Sequence, residues 1–196
     1  MKERFAEVER KTGETQVRAL LKLDGVGSHD ISTGIPFFDH MLRLFAVHGF
    51  FDLKLVAEGD VEVDFHHTVE DVGLVMGDAL NSALGARKGI RRYGFAATPM
   101  DDALTSVALD LSKRPFLVYH LPPPSQTFAG FDRFLANEFF RAFAVRGGMN
   151  LHINGHYGEN EHHILESVFK AVGRALDEAV SIDERITDVR SSKGTL

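Results

Sequence analysis

The segment Asp64-Phe65-His66-His67-Thr68-Val69-Glu70 returns later in the chain as Asn160-Glu161-His162-His163-Ile164-Leu165-Glu166, an offset of 162 − 66 = 96 residues. At the same offset Gly77-Asp78-Ala79-Leu80 meets Gly173-Arg174-Ala175-Leu176, and the apolar Leu84 meets Val180. Upstream, at 138 − 40 = 98, His40-Met41-Leu42-Arg43-Leu44-Phe45-Ala46-Val47-His48-Gly49 pairs with Glu138-Phe139-Phe140-Arg141-Ala142-Phe143-Ala144-Val145-Arg146-Gly147. Matches that hold register over this distance mark an internal duplication, so the chain must fold as two similar units.

Each unit reads the same way. Residues 15–23 alternate, with Val17, Leu21 and Leu23 on one face of a strand, and residues 103–111 are their counterpart. Apolar residues three and four apart then predict a helix over 37–47 and another over 131–145, with Gly49 and Gly147 as stops. Short strands are expected at 51–57, 61–65 and 149–153, followed by a second helix from each His-His motif through Leu84 or Val180. The reading is an α+β fold of two similar halves, residues 1–91 and 92–196, each a small β-sheet with helices on one face. Leu121-Pro122-Pro123-Pro124-Ser125 reads as an extended surface loop inside the second half.

Composition narrows the chemistry. A chain of 196 residues buries about 70% of its unfolded surface, enough to do without disulfides. There is no cysteine, so thiolate catalysis is excluded and any metal must be held by nitrogen and oxygen; a reducing cytoplasm fits best. The amino terminus MKERFAEVER is charged, and no apolar run approaches the ~18 residues a membrane span needs. A net charge of −6 argues against nucleic acid as the main partner and leaves room for a local basic pocket. Ten histidines are the compositional oddity.

A single His-His beside an acid ordinarily marks a solvated helix start. Two copies in register, each with a further His or Glu upstream, point instead to metal ligation. On a helix Glu70 lies three and four residues past the two histidines and can approach either ring. Adjacent residues diverge by about 100°, so His66 and His67 should serve two different ions. His162, His163 and Glu166 repeat the arrangement, and His40 and Glu138 occupy equivalent places upstream. Such donors suit Mn²⁺, Fe²⁺, Co²⁺ or Zn²⁺, and nothing in the sequence chooses among them. His29, His120, His152 and His156 read as surface or structural, and His48 as intermediate because its repeat partner is Arg146.

The runs Thr33-Gly34-Ile35-Pro36-Phe37-Phe38-Asp39-His40-Met41-Leu42, Asp64 to Gly73, Asn160-Glu161-His162-His163 and Ser191-Ser192-Lys193-Gly194 closely resemble the imidazoleglycerol-phosphate dehydratase family. The resemblance implies two fused halves of the ribosomal-protein-S5-domain-2-like type, a homo-oligomer of 24 subunits, and two Mn²⁺ per active site. It implies metal ligands at His40, His66, His67, Glu70, Glu138, His162, His163 and Glu166; position 138 is histidine in some members. Substrate contacts are implied at Glu14, Arg92, Arg114, Lys170, Ser191 and Lys193, and His48 and Ser192 are counted with them; Ser192 stands where members often have Thr. Arginine forks, lysines and a hydroxyl suit a phosphate dianion.

The implied reaction dehydrates imidazole glycerol phosphate to imidazole acetol phosphate in L-histidine biosynthesis, with Glu14 and Glu166 as acid/base candidates. Cations at the two ring nitrogens would favour loss of the ring N–H proton, which helps expel the hydroxyl and eases removal of the carbon proton. The phosphatase domain fused to some members is absent, so dehydration alone is expected. Two rivals use the same ligands: a dinuclear hydrolase, and a structural protein whose ions join subunits.

Overall fold

The computed structural model describes residues 3–123, 125 and 131–195. Eight strands and four long helices run, among the described residues, in the order β1 (Phe5–Lys11), β2 (Thr15–Lys22), β3 (His29–Ser32), α1 (Pro36–His48), β4 (Asp52–Gly59), α2 (His66–Leu84), β5 (Tyr93–Met100), β6 (Ala103–Asp110), β7 (Phe116–His120), α3 (Arg133–Gly147), β8 (Asn150–Tyr157) and α4 (Glu161–Val180). The two sheets have orders β1-β2-β4-β3 and β5-β6-β8-β7, the same topology twice. In each, the last pair is parallel and the others antiparallel. The α+β class and the duplication are as the repeat predicted.

Strand register carries the duplication to single residues. Ala19 pairs with Leu55 and Leu21 with Leu53 in the first sheet; Val107 pairs with Ile153 and Leu109 with Leu151 in the second. Position 15 of β2 therefore answers to position 103 of β6, an offset of 103 − 15 = 88.

The helices join the halves. α2 covers β1, β2 and β4 on one side and packs on α3 of the other half; α4 covers β5, β6 and β8 and packs on α1. The crossings are close because both long helices place glycine there. A Cβ on Gly77 would lie 2.9 Å from Phe143 O, and one on Gly173 would lie 2.6 Å from Phe45 O. Phe45 and Phe143 are equivalent in the repeat, as are Gly77 and Gly173, so the contact is one design used twice. Aromatic rings continue the core across the boundary: Phe38 meets Phe139 at 5.3 Å and Phe169 at 6.5 Å, and Phe45 meets Phe143 at 6.0 Å between centroids. Offset and edge-on pairs of this kind add to the burial of the rings themselves.

Three expectations need correction. Residues 61–65 are not a strand: β4 already has β2 and β3 on its two edges, and the segment turns instead, with Val63 N–H donating to Asp60 O at 2.8 Å. α3 starts at Arg133 rather than at residue 131, where the Asp132 side chain accepts from the N–H groups of Phe134 and Leu135. Its stop is Gly148, left-handed at φ 61°, one residue beyond Gly147. The strands β1, β3, β5 and β7 were not expected; all four are edge strands, and β1 and β3 alternate weakly. In the proline run, residues 121–123 and 125 form neither helix nor strand and are half-buried to exposed; Pro124 lies outside the described residues. No described helix is long and apolar enough to cross a membrane.

Candidate active site

The two His-His motifs sit in the first turns of α2 and α4, and each start is capped in the same manner. Asp64 Oδ1 accepts from His66 N–H at 2.8 Å, and Asn160 Oδ1 accepts from His162 N–H at 2.9 Å. These residues are equivalent in the repeat, and short polar side chains there satisfy an amide that a helix start leaves open. With the start fixed, neighbouring imidazoles must diverge: His66 and His67 lie 6.1 Å apart at 79°, and His162 and His163 lie 6.1 Å apart at 74°.

The inner histidine of the second pair meets a residue from the other half. His162 Nε2 is 3.2 Å from Glu166 Oε2, and His40 Nε2, from α1, is 3.5 Å from the same oxygen. The donor atoms of His40, His162 and Glu166 all lie within 4.8 Å of one another. Atoms bound to one small cation are at most about 4 Å apart, so slight side-chain rotation would close this set on an ion. Glu166 is largely buried, yet Lys170 holds it ionised: burial opposes the charge, and the ion pair with Lys170 Nζ at 2.6 Å, with His40 and His162 adding to it, outweighs burial and lowers the carboxyl below its ordinary value.

The equivalent group of the other pair is His66, Glu70 and Glu138, built from α2 and α3. His66 Nε2 is 3.8 Å from Glu70 Oε2, and Arg141 bridges the two carboxylates, donating to Glu70 Oε1 at 2.9 Å and through Nε to Glu138 Oε2 at 2.9 Å. This group has one imidazole and two carboxylates where the first has two imidazoles and one. A cleft of about 670 Å³ lined by Asp64, Phe65, His66, Phe131, Phe134 and Glu138 opens beside it.

The outer histidines join neither group within the chain. His67 Nδ1 is 3.1 Å from Asp60 and 3.9 Å from Glu14, in the turn between β1 and β2. The Asp60 contact chiefly raises the His67 pKa. His163 Nδ1 is 2.5 Å from Asp102, in the turn between β5 and β6. That bond, with the N–H groups of Glu159 and Asn160, holds the Asp102 carboxyl well below the usual carboxylate range.

The phosphate candidates fall in a separate place. Arg92, Arg114, Ser191, Ser192 and Lys193 line one cleft of about 590 Å³ with Tyr93, Arg190 and Thr195, a lining that includes no metal-ligand candidate. Arg92 is anchored rather than free: it donates to both oxygens of Asp110 at 2.6 and 2.9 Å and to Arg190 O at 2.5 Å. The guanidiniums of Arg92 and Arg190 lie 4.8 and 5.8 Å from the Tyr93 ring. The carboxyl-terminal segment is tied down by Arg190 donating to Arg91 O at 3.0 Å. Lys170 stands apart from this cleft, on Glu166; His48 feels the charge of Lys170, its pKa lowered by burial and then by the charges of Lys170 and Arg174.

Asp60, Asp102, Asp110, Arg141 and Arg190 were not singled out from the sequence. Arg190 could have been, since it directly precedes Ser191-Ser192-Lys193 in a basic run; the others are ordinary charges until the fold brings them to their partners. Of the remaining histidines, His29 Nδ1 lies 3.0 Å from Gly27 O and His156 Nε2 lies 2.8 Å from Ser106 Oγ.

A duplicated α+β chain with paired histidine-carboxylate groups at its helix crossings defines a class with solved members. The crystal structure of imidazoleglycerol-phosphate dehydratase from Staphylococcus aureus superposes with a TM-score of 0.81 at 34% identity, covering 91% of this chain and 99% of that one. One from Pyrococcus furiosus gives 0.84 at 34% identity, covering 96% and 100%. The family model of imidazoleglycerol-phosphate dehydratase matches residues 33–176. Relatives of that name from Desulfosudis oleivorans and Syntrophobacter fumaroxidans are 63% and 60% identical, covering 98% and 96% of this chain and 99% and 96% of their own. The chain belongs to the imidazoleglycerol-phosphate dehydratase family.

Proposed function

We propose that this protein dehydrates imidazole glycerol phosphate to imidazole acetol phosphate in histidine biosynthesis, using two divalent cations, Mn²⁺ by preference. Family membership names the reaction, and one observation supports the site: the α1–α4 crossing brings His40 of one half to His162 and Glu166 of the other, and the α2–α3 crossing links Glu70 to Glu138 through Arg141. His40, His162 and Glu166 would hold one cation, and His66, Glu70 and Glu138 would hold the second, with Arg141 giving up its ion pairs to those carboxylates. His67 and His163 point away from their own chain's groups, so as ligands they act on ions held by other copies, which accords with a homo-oligomer of 24 subunits. When bound, the cations supply Lewis acidity at the substrate ring.

The other residues bind, orient and move protons. Arg114, Ser191, Ser192 and Lys193 grip the phosphate, and Arg92, fixed by Asp110, sets the floor of that pocket. Glu14 and Glu166 are the acid/base candidates for moving the carbon proton; Lys170 keeps Glu166 ionised, and His48 borders the same region. A cytoplasmic location fits a chain without cysteine acting on a phosphorylated metabolite.

Metal-stripped protein given imidazole glycerol phosphate should form the enolisable ketone only when Mn²⁺ is restored. No ketone from folded, metal-loaded protein overturns the reading, and release of inorganic phosphate instead would mark a hydrolase.

A further inference from the structure

Strand register makes Asp102 the equivalent of Glu14: both immediately precede the strands related by the offset 103 − 15 = 88, and 102 − 14 is also 88. The two turns face equivalent histidines and use their carboxylates differently. In the second half the turn residue itself takes the ring, with Asp102 Oδ1 2.5 Å from His163 Nδ1. Asp102 is rigid, because its other oxygen accepts the N–H groups of Glu159 and Asn160 at 2.6 and 3.1 Å, just before α4. In the first half Glu14 stays 3.9 Å from His67 Nδ1, and the ring is taken by Asp60, whose oxygens lie at 3.1 and 3.2 Å. Asp60 follows β4, and its N–H donates to Glu14 O at 3.2 Å, so it is braced against the same turn.

Both outer histidines are therefore held at Nδ1 by an aspartate. An imidazole that donates from Nδ1 to a carboxylate carries its lone pair on Nε2 and is locked in orientation. Among the described residues, His163 Nε2 has only the exposed Asp101 within ion-pair reach, at 3.6 Å. We propose that Asp60 and Asp102 are positioning residues that fix His67 and His163 in the Nδ1–H form, with Nε2 presented outward to a divalent cation. The inference rests on the reading of His67 and His163 as metal ligands. It also explains the divergence of the halves: with Asp60 holding His67, the Glu14 carboxylate keeps no structural duty and is left for proton transfer.

The test has a spectroscopic arm and a binding arm, both on the full chain. Nitrogen-15 histidine NMR of the metal-stripped protein, near neutral pH and assigned by the signals lost in His67→Ala and His163→Ala, should show the proton of both rings on Nδ1. An Nε2–H ring at either position overturns the assignment there without any mutation of the aspartates. In Mn²⁺ titrations by calorimetry, Asp60→Asn and Asp102→Asn should each weaken binding about 10–100-fold. Asn at 102 keeps an acceptor for the two helix-start amides, and thermal melting checks that the fold survives. Unchanged affinity in an aspartate variant, while His67→Ala and His163→Ala lose binding, overturns the positioning role alone. If the two alanine variants themselves bind Mn²⁺ as tightly as the unaltered chain, the ligand reading fails and the positioning role falls with it.

Discussion

Arg87 is a charged residue with 1% of its surface exposed. Its guanidinium donates to Gly147 O at 2.7 Å, Gly148 O at 2.8 Å and Asn81 Oδ1 at 2.8 Å, closing the carbonyl end of α3 from the end of α2. Burial presses its pKa down to about 10, and these acceptors keep it in place. Removing it takes the side-chain donor from Gly147 O and leaves Gly148 O with the Lys113 N–H alone. Arg87→Ala should cost on the order of 2–4 kcal/mol in urea unfolding. Glu14 is the opposite kind of residue, exposed in a turn that Thr12 stabilises by accepting the N–H groups of Glu14 and Thr15. Glu14→Gln should abolish turnover and leave Mn²⁺ content and melting temperature unchanged; near-normal turnover removes it as the proton carrier. Of these residues, Glu14 and the eight ligand candidates were legible from motif spacing and family resemblance. Arg87, Asp60 and Asp102 were not, because a lone charge reveals its role only through a partner 61 residues away, as with Asp102 and His163.

At the scale of elements, the periodicities that predicted the long helices and central strands depend on one buried face each, and those were read closely. The edge strand β1 escaped because it is largely charged: it carries Glu7, Glu9, Arg10 and Lys11, and an edge strand needs only one hydrogen-bonded neighbour to form. Residues 61–65 alternate like a strand and are not one, because β4, which they follow, is already paired on both sides and the chain turns there into α2. The helix crossings depend on Gly77 and Gly173. Alanine favours a helix over glycine by about 1 kcal/mol. At 173, however, the new Cβ would sit 2.6 Å from Phe45 O, a backbone atom that cannot step aside. The clash wins, and Gly173→Ala should lower stability by about 1–3 kcal/mol in denaturant unfolding. It should also weaken Mn²⁺ binding, since the same crossing of α1 and α4 brings His40 to Glu166.

For the whole molecule, acid should unfold the metal-free protein through a definite set of carboxylates. Asp24 is held below its ordinary pKa chiefly by Arg4, Asp52 by the Val26 N–H, Asp183 by Arg185 and Asp188 by Lys88. A carboxyl with a lowered folded pKa binds fewer protons folded than unfolded. Its contribution is therefore fully present above the unfolded value of about 3.9 and is lost as pH falls through the folded one. Asp177, raised by burial, works in the opposite sense and is outnumbered. The melting temperature should hold steady down to about pH 5 and drop steeply below about pH 4; a flat profile to pH 2 would show that these pairs contribute nothing.

What the sequence determined by itself was the duplication, the α+β class, the donor types available to a metal and the divergence of each His-His pair, because all of these follow from spacing along one chain and from helix geometry. Only the tertiary structure decided which half completes which group. His40 joins His162 and Glu166, and Glu138 joins Glu70, because glycine contacts let each long helix lie against the first helix of the other half. Such pairings are set by packing between segments distant in sequence, where no local periodicity reaches.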